Sequence, residues 1–134
     1  MGASKESLGD LPVESWQWSE DTEVESIYQF DVGIMPLEDS PWERGKCGYK
    51  LIQYMACGLP VVAFPVGVNC EIVEPGANGF LASGNDKWQE SLASLLADAQ
   101  YRKEMGKNGR NKVESRYCLQ VQAPRLEKLL QQLV

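Results

Sequence analysis

The chain has 134 residues, 43% of them hydrophobic and 24% charged, with a formal net charge of −6 and no histidine at all. Those figures fit one ordinary globular domain and exclude a catalytic histidine, a Ser-His-Asp triad and histidine-ligated zinc within the chain. The acidic balance argues against a general nucleic-acid binder, and no stretch approaches the ~18 consecutive apolar residues of a membrane span.

The charge is unevenly spread. Residues 1–43 hold eleven acids and one base, a net of −10, while the remainder carries a net of +4. The late bases Arg102, Lys103, Lys107, Arg110, Lys112, Arg116, Arg125 and Lys128 read as a solvated helix face. They also suit contact with an acidic partner, a peripheral membrane surface included. The first residues lack the apolar core of a leader peptide, so a cytoplasmic location is expected.

In chain order, residues 13–18 alternate and suggest a strand. Ser19 then caps a short helix to about Phe30, with Glu20, Asp21 and Glu23 at its positive end and Val24, Ile27 and Tyr28 inward. Residues 31–37 form an apolar run closed by proline, a buried parallel strand. A polar loop, 38–45, leads to a helix over 46–57, with Leu51, Ile52, Met55 and Ala56 inward and Gly58 stopping it. Residues 60–66 read as a second buried strand, 69–73 as one helical turn, 74–79 as a turn and 80–82 as a short last strand. Helices are expected over 86–98, with Trp88, Leu92, Leu95 and Leu96 inward, over 100–115, and over 119–134 with a break near Pro124. The order β-α-β-α-β-turn-β-α-α-α predicts an α/β fold. It would be a partial Rossmann-like domain in three layers, α/β/α, with a short parallel sheet and C-terminal helices.

The four cysteines, Cys47, Cys57, Cys70 and Cys118, match no zinc spacing and are expected as buried thiols. There is no G-x-G-x-x-G, which argues against a standard NAD or FAD site, and no P-loop. The informative segment is Gly45-Lys46-Cys47-Gly48-Tyr49-Lys50, after a buried strand and at the start of a helix. Such a helix start offers unpaired N–H groups and a positive dipole end to a phosphate. Glycines at 45 and 48 allow close approach, and Lys46 and Lys50, four apart, would add charge on one face.

These residues carry a resemblance. Phe30-Asp-Val-Gly-Ile-Met-Pro-Leu37, Gln53-Tyr-Met-Ala-Cys-Gly-Leu-Pro-Val-Val62, Pro65-Val-Gly67, Glu71-Ile-Val73 and Gly76-Ala-Asn-Gly-Phe-Leu81 stand in sequence. Together with Tyr101 to Arg110 and Val113 to Tyr117, they resemble the C-terminal, nucleotide-sugar-binding domain of family 4 retaining glycosyltransferases of GT-B fold. The likeness runs from about Trp18 onward. It implies that residues 1–134 form a partial GT-B donor-binding domain for a nucleotide-diphosphate sugar, needing no cofactor or metal.

The resemblance also implies site residues. The family's Glu-x7-Glu pair faces the donor sugar and the ribose, and it falls here on Gly45 and Gln53, so both carboxylates are replaced. Gln53 can still hydrogen-bond a ribose through its amide. Gly45, Lys46, Cys47, Gly48, Lys50, Gln53 and Glu71 are therefore the expected donor-binding residues, with Trp42 beside them. The acceptor domain of a full GT-B enzyme is absent from this stretch, so sugar transfer by the chain alone is not expected. Leu126, Leu129, Leu130 and Leu133 would need a cover, and a bare first strand would leave an edge. Both features predict a homo-oligomer.

Overall fold

The computed structural model describes residues 12–133. Three short strands, β1 (Gly33–Met35), β2 (Val61–Ala63) and β3 (Gly79–Leu81), form a parallel sheet in the order β1-β2-β3. Gly33 pairs with Val61 and Val61 with Gly79. The helices are α1 (Glu23–Ile27), α2 (Pro41–Arg44), α3 (Tyr49–Ala56), α4 (Asn69–Ile72), α5 (Asn85–Ala97), α6 (Ala99–Arg116) and α7 (Leu119–Gln131).

The alternation of β2 explains the layers. Val61 and Ala63 point into a core with Leu51 and Met55 of α3, Ile72 of α4 and Val113 of α6. Val62 points the other way, to Leu95 of α5 and Met105 of α6. All three β2 residues are fully buried, as a central parallel strand covered on both faces must be. The α/β architecture is thus the expected one, with helices on both sides of a short parallel sheet.

Several local expectations are corrected. Among the described residues, 13–18 run without a ladder partner, so the first strand is β1, and the sheet has three strands instead of four. Ser19 occupies a cap position, but its side chain makes no cap hydrogen bond. A 3-10 turn (Glu20–Thr22) precedes an α1 that ends at Ile27. Part of the 38–45 loop is helical: Ser40 Oγ accepts from Glu43 N at 3.2 Å and Pro41 opens α2. Leu96 faces solvent at 63% exposure, leaving Leu95 as the buried residue of that pair. Cys47 and Cys70 are exposed, whereas Cys57 and Cys118 are half-buried. Pro124 does not interrupt α7. It sits in the second turn, and the residue whose carbonyl loses its bond, Gln120, is exposed to water.

The N-terminal residues 1–11 lie outside the described part. Among the described residues no helix is long and apolar enough to cross a membrane. Leu126, Leu129 and Leu130 on α7 and Leu133 just beyond it are all more than half exposed, as expected where no described residue covers them.

Lys112 ties α6 to the loop beyond α4. It is only 9% exposed, and its Nζ donates to the Glu71 carbonyl at 2.9 Å and to Glu74 Oε1 at 2.5 Å. The hydrogen bond and charge of Lys112 hold the Glu74 carboxyl below its ordinary range. A carboxyl lowered on folding stabilises above its unfolded pKa, and the gain disappears as pH falls through its folded pKa. Glu74→Gln is therefore expected to cost up to about 1 kcal/mol at pH 7, the upper end for a solvent-screened pair. Melting curves at pH 7 and pH 3 should show the two proteins converging in acid. An undiminished gap at pH 3 would contradict this.

Candidate functional site

The expected site residues lie after β1 and β2, at the carboxyl ends of the strands where open α/β sheets bind ligands. Gly45 closes α2, with its N–H on the Trp42 carbonyl at 3.2 Å. Lys46 and Cys47 are exposed linking residues, and Gly48 precedes α3 with φ +67°. That left-handed residue is why the helix starts at Tyr49 instead of 46, so Lys46 and Lys50 do not share a helix face. A Cβ on Gly48 would strike the Ile72 side chain and lie 3.1 Å from Val68 Cγ1. A second loop meets the first: at Gly67, φ +52°, a Cβ would lie 2.8 Å from the Arg44 carbonyl oxygen. The end of α2 at Arg44 therefore packs backbone to backbone against the 64–69 loop, while Gly48 packs against the side chains of Val68 and Ile72. Buried Asn69 holds the second by donating to the Phe64 carbonyl at 3.0 Å.

Leu51 and Ile52 both donate to the Gly48 carbonyl, at 3.0 and 3.3 Å. The amides of Tyr49 and Lys50 are thus the orphan donors of the first turn of α3, suited to an anion. The lysines are not bare. Lys46 Nζ pairs with Glu43 at 2.7 Å and Lys50 Nζ with Glu23 Oε1 at 2.6 Å, each lysine side chain being 41% exposed. A diphosphate here would have to draw them from these carboxylates. Glu71, on α4, is exposed, and its backbone carbonyl is taken by Lys112. Trp42 is almost fully exposed beside the 45–48 loop, whereas Trp16 stacks on Phe30 at 5.7 Å and Trp88 packs into the core.

Glu23 is the residue that sequence reading missed. Its carboxylate accepts from Lys50 Nζ at 2.6 Å, Trp18 Nε1 at 2.9 Å and Gln53 Nε2 at 2.8 Å. Those bonds, the one from Lys50 foremost, hold its carboxyl below the ordinary range against the opposing pull of burial. In the sequence Glu23 belongs to an acidic first turn, and nothing local links it to residues 27 and 30 positions later. Gln53 Oε1, in turn, is buried without a partner among the described residues. An unmet buried acceptor costs about 1–3 kcal/mol, which makes that oxygen a candidate ligand contact.

A mannosyltransferase of Corynebacterium glutamicum, named GDP-mannose-dependent monoacylated alpha-(1-6)-phosphatidylinositol monomannoside mannosyltransferase, is 37% identical over 86 residues. The match covers 63% of this chain and 22% of that one. The D-inositol 3-phosphate glycosyltransferase of Paenarthrobacter aurescens is 32% identical over 87 residues, 63% of this chain and 20% of that one. The chain therefore spans about a fifth of the length of these relatives. Among solved structures, sucrose-phosphate synthase from Thermosynechococcus elongatus superposes with a TM-score of 0.69 at 30% identity, over 77% of this chain and 25% of that one. The C-terminal domain of the group 1 protein LpcC from Francisella tularensis shares the fold, with a TM-score of 0.61 at 23% identity over 78% and 53% of the two chains. The profile of the "Glycosyl transferases group 1" family matches residues 13–112. The chain belongs to that family and has the fold of a C-terminal GT-B domain.

Proposed function

We propose that the chain is the donor-binding half of a glycosyltransferase, holding a nucleotide-diphosphate sugar for transfer to an acceptor with retention. The observation that carries this reading is the meeting of the 45–48 loop, the 64–69 loop and the first turn of α3 at the carboxyl ends of β1 and β2. In the proposal Gly45, Lys46, Cys47, Gly48 and Lys50 receive the diphosphate, Gln53 the ribose, and Glu71 borders the donor. Transfer of this kind asks mainly for a neutralised leaving group and a positioned acceptor, not for a nucleophilic side chain. The reading places the chain in the cytoplasm, with residues 1–134 as a partial domain that is inactive without an acceptor-binding half. The HepE protein of Anabaena, which shares the fold at 22% identity and a TM-score of 0.71, was solved with UDP and glucose. This supports testing uridine nucleotides first.

The test is a thermal-shift panel of UDP, GDP, ADP and their common sugars. A ligand at a hundredfold excess over its Kd stabilises by about 2.7 kcal/mol. One nucleotide series is expected to raise the melting temperature, and Lys50→Ala or Gln53→Ala to reduce the shift. Failure of every nucleotide to shift the wild-type chain would overturn the reading.

The exposed leucines of α7 favour a second reading, a non-catalytic module that keeps the fold and self-associates. The edge of β1, unpaired among the described residues, and the exposed Lys103, Lys107, Arg125 and Lys128 offer further surface for a second copy or a peripheral membrane contact. Light scattering showing a dimer, with no nucleotide bound, would favour this reading. A monomer at high concentration would remove the oligomer.

A further inference from the structure

Granting the nucleotide-sugar reading, on which the step rests, we propose that Glu23 is a positioning residue of the site. Its carboxylate turns the Gln53 carboxamide so that the amide oxygen is the acceptor offered to a ligand hydroxyl. The argument is one of donors and acceptors. A carboxylate only accepts, so the amide nitrogen must be the atom that faces Glu23 at 2.8 Å. The opposite orientation would set two acceptors against each other. The Gln53 oxygen is thereby directed elsewhere, where no donor of the described chain reaches it.

Glu23 is itself held. Its side chain is 14% exposed, and its other oxygen takes both the Trp18 indole and Lys50. It cannot rotate away from Gln53 without breaking two further bonds. Lys50 precedes Gln53 by three residues and lies on the same face of α3. Being 41% exposed, it is the partner of Glu23 free to swing toward a diphosphate, while the Trp18 indole still holds the carboxylate. A neutral amide so fixed does the work of a carboxylate acceptor, and the fixing comes from a different helix, α1.

The hydroxyl can come from the ribose or from the attached sugar, and the experiment separates the two. The full chain and Glu23→Gln are titrated with UDP and GDP, with their 2′-deoxyribose and 3′-deoxyribose forms, and with UDP-glucose and GDP-mannose. If the ribose supplies the hydroxyl, the wild-type chain prefers the ribonucleotide to one deoxy form by about fivefold, the worth of one neutral hydrogen bond. If the sugar supplies it, the preference separates nucleotide sugar from bare nucleotide. In Glu23→Gln, whose amide can meet Gln53 with either its oxygen or its NH2, the orientation is no longer fixed and the operative preference should fall toward one. It should return in Glu23→Gln/Gln53→Glu, where Gln at 23 donates and Glu at 53 accepts. That swap keeps the bridge, and so carries the test if Glu23→Gln alone fails to fold. A simple loss of stability would lower all affinities together and leave the ratios unchanged.

Unchanged ratios in Glu23→Gln, or no recovery in the swap, would overturn the proposal while nucleotide binding stands. Absence of wild-type binding to every probe would instead remove the nucleotide-sugar reading, and this role with it.

Discussion

Gly106→Val is expected to leave no cooperatively folded protein, and Gly106→Ala to cost about 3 kcal/mol, the upper part of the range for an overpacked core. Gly106 lies on α6 where that helix crosses the end of α3. A Cβ there would fall on the carbonyl oxygen of Gly58 and only 2.7 Å from its carbon. One turn on, a Cβ at Gly109 would lie 3.0 Å from Met55 Cγ. The obstacle at Gly106 is backbone, so no rotamer change can relieve it, and α3 with Lys50 and Gln53 would have to move bodily. Circular dichroism on heating should show the loss, with exposed Lys107→Ala within about 0.5 kcal/mol of wild type as the control. A Gly106→Val chain that melts like wild type would mean that the two helices do not touch in this way.

Leu51→Ala is expected to cost about 2–5 kcal/mol, a fall of roughly 10 °C or more in melting temperature. Leu51 is fully buried, two residues into α3, in the cluster of Val61, Ala63 and Ile72. It fastens the start of the helix to the sheet and to α4, beneath the two loops of the candidate site. Collapse around the cavity is limited because β2 is fixed by ladders on both sides. A cost below about 1 kcal/mol would show that α3 is not anchored through this side chain.

The fold was legible where periodicity and punctuation agree. The apolar runs around Ile34 and Val62, the stop at Gly58 and the start of α6 at Ala99 all lie close to their expected places. Legibility failed where tertiary context decides. Alternation at 13–18 is a strand signal only if a neighbour offers a ladder, and none among the described residues does. The start of α3 depended on Gly48 adopting a left-handed conformation against Ile72, a contact that local spacing does not encode. The same limit applies to the site. The Gly-Lys loop was visible because its glycines and lysines are adjacent in sequence. Glu23 was not, because its partners come from another helix and its own surroundings resemble an ordinary acidic first turn. The neutralisation of Lys50 by Glu23 likewise appears only in three dimensions.

The central claim, a nucleotide-diphosphate sugar held at the carboxyl ends of β1 and β2, is tested most directly by nitrogen-15 NMR titration of the labelled chain with nucleoside diphosphates. The account predicts saturable shifts of the Gly45, Gly48 and Gly67 amides, together with those of Tyr49 and Lys50. Shifts confined to other elements, or none at millimolar nucleotide, would contradict it.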